Sequence, residues 1–394
     1  MKFKGCPGFK LAGVACGLKK NNAMDLGLIY AELPANVAGV FTRNKIKAAP
    51  VLLDQERIKS GTCQAIIVNS GNANCCTGGQ GMRDAIHMTQ LTAAGLGISE
   101  DLVMVASTGV IGKPLPMDKI EGAIPDLIQA LNLNGVADFA GAIMTTDTVP
   151  KIVVRHGEVN GNLFTITGVA KGAGMIRPDM ATLLCFVMTD LKASPDQLKE
   201  MLAAAVAKSL NRITIDGDTS TNDTVLLMAS GFSEAIVSES GQMAAVQPIL
   251  DDVFVTLAKQ LVQDGEGVTK LVEVVVKGAS SDADAEQIVD TVAHSNLLKT
   301  AFFGEDANWG RIFAAVGRAG VPVDPNTIDL YFDDVLMVQD SLGCGDQAES
   351  KATAVLKKPE FTVTIDLKMG HGSASMLTCD FSIDYVKINA DYRS

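Results

Sequence analysis

The stretch KGAGMIRPDMATLLCF, residues 171–186, brings a glycine-flexed approach and a Pro-Asp turn signal up to an apolar run that begins at a threonine. Threonine is β-branched and suits the opening of a strand, so Thr182 has an ordinary structural reason to stand there. It also has a chemical one. A threonine hydroxyl is a poor nucleophile until a base takes its proton, and the residue's own α-amine does so when the threonine is a chain N-terminus. That amine titrates near ~7.7–8.0, so a fair share of it is neutral and basic near neutral pH. An internal threonine has no such amine. The Ala181–Thr182 peptide must therefore be cut, which the Thr182 hydroxyl can do by attacking the Ala181 carbonyl through an ester. Small Ala181 leaves that carbonyl approachable, and Gly172 and Gly174 permit an unusual backbone path.

A tetrahedral intermediate needs donors fixed where negative charge appears. In ASTGVIG, residues 106–112, the Thr108 hydroxyl and the Gly109 N–H stand at the end of a strand-like run and suit that task. On spacing alone the same residues form a turn. Neither a P-loop pattern nor a strand followed by G-x-G-x-x-G and a helix is present. His87, His156, His294 and His371 have no carboxylate and nucleophile around them in triad-like sequence context and are read as structural. DGDTSTNDT, residues 216–224, is dense in residues that cap helices and bond neighbouring backbone, and is read as a supporting loop.

The 394 residues exceed one small core and point to two or three folding units. With 47% hydrophobic and 20% charged residues the chain is of ordinary globular composition. A net charge of -12 argues against a nucleic-acid partner, which rewards a positive footprint. No apolar run reaches bilayer length, and MKFKGCPGFKLAG lacks the apolar core of a secretory signal. A cytoplasmic protein without membrane association is expected. The eight cysteines show no C-x-x-C pairs and are expected to be free, buried and not zinc-bound.

KIVVRHGEVNGNLFTITGVA reads as a hairpin about Asn160 and Gly161. IIVNSGNAN, LVMVASTGVIG and LVEVVVKGASS read as strands, and so do DLYFDDVLMVQ and FTVTIDLKMG near the end. SPDQLKEMLAAAVAKSL reads as a helix capped by Ser194 with Pro195 in its first turn. GQMAAVQPILDDVFVTLAKQLVQDG is a second, with Pro248 marking a break or a first turn, and DADAEQIVDTVAHSNLLKTAFFG a third. A division is expected near residue 280, giving a catalytic domain 1–280 and a smaller region 281–394.

NSGNANCCTGGQG, ASTGVIGKPLPMDKI, MTTDTVPK, KGAGMIRPDMATLL, NRITIDGDTSTNDT, QDGEGVTK, DANWGRI and the terminal YVKINADYRS occur in this order. Together they resemble the ornithine acetyltransferase family, also called glutamate N-acetyltransferase, over nearly the whole chain. The resemblance implies an α/β fold, a four-layer α/β/β/α sandwich with a smaller C-terminal α/β region. It implies self-cleavage between Ala181 and Thr182 into fragments 1–181 and 182–394, assembled as α2β2. Thr182 then carries the acetyl group, and Thr108 and Gly109 form the oxyanion hole. The substrate-binding positions map onto Thr145, with Thr146 as its close competitor, and onto Lys171, Thr182, Glu266, Asn389 and Ser394.

The implied reaction moves the acetyl group of N2-acetyl-L-ornithine to L-glutamate in arginine biosynthesis, with no metal or cofactor and with acetyl-CoA as an optional donor. The chemistry of the residues agrees: Lys171 is a point charge for an α-carboxylate, and Glu266 suits the δ-ammonium of ornithine. Arg311 of DANWGRI is a candidate organiser of the site, and Trp309 a packing anchor. Leu183, the pair Met376-Leu377 and Ser394 depart from the family's usual Met, Ala-Trp and Thr, which bears on acceptor preference. The alternatives are a self-processing amidohydrolase or aminopeptidase using the same threonine, and a silent binding protein of the same fold.

Overall fold

The computed structural model describes residues 5–177, 183–237 and 240–391. Ala181, Thr182 and Ser394 lie outside the described residues. The chain divides into two units, the first comprising Met1–Asn211 with Asp218–Leu261 and the second Arg212–Gly217 with Val262–Ser394.

One bent strand organises the first unit. Its strands are β1 (Phe9–Val14), β2 (Leu26–Phe41), β3 (Thr62–Asn72), β4 (Val103–Val110), β5 (Lys151–Val159), β6 (Asn162–Lys171), β7 (Leu184–Thr189) and β8 (Thr224–Ala229). They are bonded in the order β4-β3-β2-β8-β7-β6-β5, with β1 also on β2. β2 runs for 16 residues, and its register breaks between Tyr30 and Ala35. Pro34 lies in that gap and donates no ladder hydrogen bond. Before the break β2 pairs with β1 and β3; after it, β3 keeps only Ala35 and Asn36, and β8 pairs from Asn36 to Phe41.

The two halves of the sheet share one core. Ile29, Ile66, Val68, Met104 and Ala106 come from the first half, and Phe186, Met188, Leu226 and Met228 from the second. Alternate residues turn the other way: Ala65, Ile67, Val103 and Val105 pack on Met88, Ile120 and Ile124 of the helices Gly78–Leu96 and Met117–Gln129. This is the period of two of a strand buried on both faces. Across the second half, Gly168 lies against Val253 and Leu257 of the helix Ser240–Gln263, beside the helix Pro195–Lys208 on β2 and β8. The layers are helix, sheet, sheet, helix, as the α/β/β/α expectation has it. The short helix Val136–Ile143 joins the shared core, with Phe139 edge-on to Phe186 at 5.7 Å.

Doubling β2 back has a consequence for position. Its two ends come to the same end of the sandwich, so the C-terminal ends of β3, β4 and β6 meet the starts of β5, β7 and β8. Asn222, just before β8, accordingly donates to the carbonyls of Ala73 (2.6 Å) and Ser107 (2.8 Å), just beyond β3 and within β4.

The second unit holds β9 (Leu271–Ala279), β10 (Asp329–Phe332), β11 (Val335–Gln339), β12 (Leu342–Gly343), β13 (Glu360–Asp366) and β14 (Gly372–Cys379), in the order β12-β11-β10-β13-β9-β14. Val272, Val274 and Val276 of β9 pack with Ile288 and Val292 of the helix Asp282–Ala293. The division therefore falls between Leu261 and Val262 rather than near residue 280. The reason is pairing: β9 sits between β13 and β14, both from the end of the chain.

Local signals held where they rest on short-range chemistry. Asn160 and Gly161 both take positive φ (52° and 78°), the geometry of a type I′ hairpin turn, and Ser194 forms a full capping box with Gln197. Pro248 does not break its helix, which is continuous from Ser240 to Gln263. Burial of Val246, Leu250, Val253, Leu257 and Leu261 along one face outweighs the backbone bond a proline removes. The third expected helix is two, Asp282–Ala293 and Asn296–Phe303, parted at His294 and Ser295. Cys6, Cys63, Cys75, Cys185 and Cys379 are buried and free, but Cys76 and Cys344 are exposed. Among the described residues, no helix is long and apolar enough to cross a membrane.

Candidate active site

The convergent strand ends of the first unit gather the expected polar residues. Gly109 takes φ +130°, and a Cβ there would come within 2.4 Å of the Gly71 carbonyl carbon on the neighbouring strand. Only glycine allows β4 and β3 to approach this closely, and their register turns irregular at this point. The close approach holds Thr108 at the rim.

Lys171, at the last position of β6, reaches across to it. Its ammonium donates to the Thr145 hydroxyl (2.8 Å) and to the Thr108 hydroxyl (3.3 Å). Of the two candidate threonines it is therefore Thr145 that meets the lysine. Each hydroxyl has one proton, and a hydroxyl that accepts from Lys171 keeps that proton for another acceptor. The arrangement is a cation flanked by two oriented O–H donors, suited to an oxygen on which negative charge develops.

Asp147 anchors the lysine. Its carboxylate lies 3.9 Å from Lys171 Nζ, with both side chains buried. It also accepts from Lys151 Nζ (2.7 Å), from the Gly172 N–H (2.7 Å) and from the Thr145 N–H (3.0 Å). Burial opposes its charge, but Lys171, Lys151 and these donors outweigh burial and hold the carboxyl below the usual range. Lys19 stands nearby, donating to the Met24 carbonyl at 2.7 Å. Burial lowers its pKa, and Lys171 lowers it further against the pull of Asp25 and Asp147.

The loop before β8 supports the same end. Besides holding Ala73 and Ser107, Asn222 accepts from the Thr221 hydroxyl at 2.6 Å. The Ser107 hydroxyl in turn donates to Asn69 (2.6 Å), so the residue before Thr108 is fixed on both its carbonyl and its side chain. The reading of DGDTSTNDT as a supporting loop matches these bonds. Asp147 and Lys151 were not singled out in the sequence, although both lie in MTTDTVPK. A buried ion pair four residues apart has the same spelling as a solvated one.

In the second unit, the Asn389 side chain donates to Glu266 (2.9 Å), a buried carboxylate, and to the Tyr385 carbonyl (3.0 Å). These two of the expected binding residues are thus brought together. Arg311 serves the scaffold instead: it donates to the Leu297 carbonyl (2.6 Å) and ties two helices. Trp309 packs edge-on to Phe313 at 5.4 Å. His294 closes a helix end, and His87 and His156 meet Glu121 and Thr165. Among the described residues, no three of His, Cys, Asp and Glu are grouped to hold a metal ion.

The model of a family described as the ArgJ family matches residues 10–394. The chain is 54% identical to the arginine biosynthesis bifunctional protein ArgJ of Geobacter sulfurreducens over 98% of this chain and 99% of that one. It is 52% identical to the protein of the same name from Syntrophotalea carbinolica, over 98% and 99%. A crystal structure of arginine biosynthesis bifunctional protein ArgJ from Bacillus halodurans aligns at 46% identity and TM-score 0.43, covering 45% of this chain and 92% of that one.

Proposed function

Because the chain belongs to the ArgJ family, we propose that it moves the acetyl group of N2-acetyl-L-ornithine to L-glutamate through an acetyl ester on Thr182. It is an acyltransferase enzyme of arginine biosynthesis. The observation that carries the finer reading is the Lys171 ammonium set between the Thr108 and Thr145 hydroxyls at the end of β4.

In the first half-reaction the Thr182 hydroxyl gives its proton to its own α-amine and attacks the acetyl carbon. The carbonyl oxygen takes the electron pair, and Thr108 and the Gly109 N–H receive the oxyanion. Collapse breaks the carbon–nitrogen bond, and the ammonium returns its proton to the departing ornithine nitrogen. L-Glutamate then enters and its amine takes the acetyl group from the ester. Lys171 meets the α-carboxylate common to both substrates. Glu266, held by Asn389, takes the δ-ammonium of ornithine, and Ser394 completes the binding set. No metal or organic cofactor enters this scheme. The word bifunctional in the relatives' names supports a second donor, which we assign to acetyl-CoA.

The scheme needs the Ala181–Thr182 bond cut, and the sheet explains why the pieces stay together. β6 belongs to fragment 1–181 and β7 to fragment 182–394, yet they are bonded neighbours, and β8 lies between β2 and β7. Two such pairs make the proposed α2β2 assembly in the cytoplasm.

Intact-mass analysis with N-terminal sequencing tests the reading. Two pieces are expected, the second beginning TLLCF, with Thr182→Ala whole and inactive. Full activity in a wild-type chain still continuous across 181 and 182 refutes it. Free acetate as the main product in the presence of glutamate refutes the acceptor.

A further inference from the structure

We infer that Lys19 sets the acceptor specificity: its ammonium stands beside the site made by Thr108, Gly109 and Lys171 and takes the side-chain carboxylate of L-glutamate. The inference rests on the reading of glutamate as the acetyl acceptor and deepens it.

The residues around Lys19 build a fixed loop between β1 and β2. Asp25 is fully buried and accepts from the N–H groups of Cys16 and Leu18, both at 2.6 Å, and of Lys19 at 2.8 Å. Gly17 takes φ +85°, which lets the chain turn about that carboxylate. Lys119 Nζ holds the Gly17 carbonyl at 2.7 Å. The backbone of Lys19 is thus fixed independently of its side chain.

That side chain runs over the end of β3. A Cβ on Gly71 would lie 3.4 Å from Lys19 Cγ, so the stem packs where β3 carries no side chain. Gly71 is the β3 partner of Gly109, the glycine of the oxyanion pair. Lys19 therefore comes to the site from the β3 side, whereas Lys171 comes to it from the end of β6. The groups feel one another: Lys171 lowers the pKa of Lys19, and Asp147 raises it. Lys151 is bound to Asp147, and Lys171 lies between Asp147 and two hydroxyls. Lys19 is differently placed. Among the described residues its ammonium makes one hydrogen bond, to the Met24 carbonyl at 2.7 Å, and no ion pair. An ammonium has three donors, so this half-buried cation has donors to offer an anion.

The reaction creates a demand for such a group. Ornithine and glutamate share an α-carboxylate, which Lys171 meets, but their side chains end in opposite charges. Glu266, which takes the δ-ammonium of ornithine in the proposed scheme, repels the side-chain carboxylate of glutamate. A second cation supplies the attraction that the acceptor needs and gives none to the ornithine chain end. Burial works against the charge on Lys19, and a carboxylate arriving beside it favours that charge. Lys19 thus acts in the half-reaction that uses glutamate.

Lys19→Met is the test, because methionine keeps an unbranched stem on Gly71 and removes the ammonium. In a double-displacement reaction kcat/KM for each substrate belongs to its own half-reaction, so the two are read separately. For L-glutamate it is expected to fall about 10–100-fold in K19M, the range for losing a hydrogen bond to a charged group. Exchange of acetyl between N2-acetylornithine and labelled ornithine, which needs no glutamate, stays within about threefold of the wild type. The wild type prefers glutamate to L-glutamine, which has the same shape without the charge, and K19M loses that preference. Lys119→Met, which unties the same loop, leaves both half-reactions as they are. If K19M does not fold, Lys19→Gln repeats the measurement. Glutamate use by K19M or K19Q within about threefold of the wild type overturns the inference. An equal loss in the ornithine exchange, or in K119M, overturns it as well. A wild type that transfers no acetyl to glutamate removes the proposed acceptor and this inference together, whereas a glutamate-using wild type with an unimpaired K19M removes only the inference.

Discussion

Replacing Asp147 by asparagine keeps its shape and removes its charge, which leaves Lys151 and Lys171 as two buried ammonium groups around a neutral amide. Lys151 Nζ is 2.7 Å and Lys171 Nζ 3.9 Å from the carboxylate, with side chains 1% and 6% exposed. Removing one partner of a buried ion pair costs about 3–5 kcal/mol. Taking the lower figure, because an amide oxygen in place of Oδ1 still accepts from the Gly172 N–H and from Lys151, D147N should lose about 3 kcal/mol, or roughly 6–12 °C in melting temperature for a unit of this size. The pH dependence has a definite sign. The folded carboxyl titrates below its unfolded value of ~3.9, so its contribution is present above about pH 4 and is lost as pH falls through the folded pKa. The gap between wild type and D147N should therefore be full at pH 7 and shrink on acidification below about pH 4. Calorimetry or circular dichroism at several pH values reads both effects. A second substitution, Lys151→Met, should recover part of the loss, since the two sites are coupled. A D147N melting temperature within about 2 °C of the wild type at pH 7 would show that the aspartate is not the anchor described here.

Thr108→Ala is expected to lower kcat about 10²- to 10³-fold while the chain still melts normally; steady-state kinetics with N2-acetylornithine reads it, and an unchanged kcat would remove Thr108 from the oxyanion hole. Gly109→Ala should be harsher, losing stability as well as rate, because its Cβ meets the Gly71 backbone at 2.4 Å. Alkylation at pH 8, read by peptide mass, should modify exposed Cys76 and Cys344 first. Half-buried Cys16 should lag, since burial and its hydrogen bond to Asp25 push the thiol up to about 12; prompt labelling of Cys16 would contradict its surroundings.

Much of the local structure was legible because its causes are local. The Asn160-Gly161 turn needs two residues tolerant of positive φ, and the Ser194 cap needs an oxygen and a glutamine three residues on; both are written in adjacent letters. The His294 break and the continuous helix through Pro248 were not, because each depends on what the helix packs against. The choice of Thr145 over Thr146 was likewise invisible, since it turns on which hydroxyl faces Lys171.

The sequence by itself determined the family, the alternating strands and the candidate chemistry, since those follow from residue identity, order and short-range periodicity. Only the tertiary structure decided that β2 folds back at Pro34 and so brings Thr108, Thr145, Lys171 and Asn222 to one end of a sandwich. It also decided that Asp147 is a buried counter-ion and that Asp223 is a buried acid holding the Leu183 N–H. The physical reason is that a carboxylate's role is set by its dielectric surroundings and its partners, and these are supplied by strands distant in the chain.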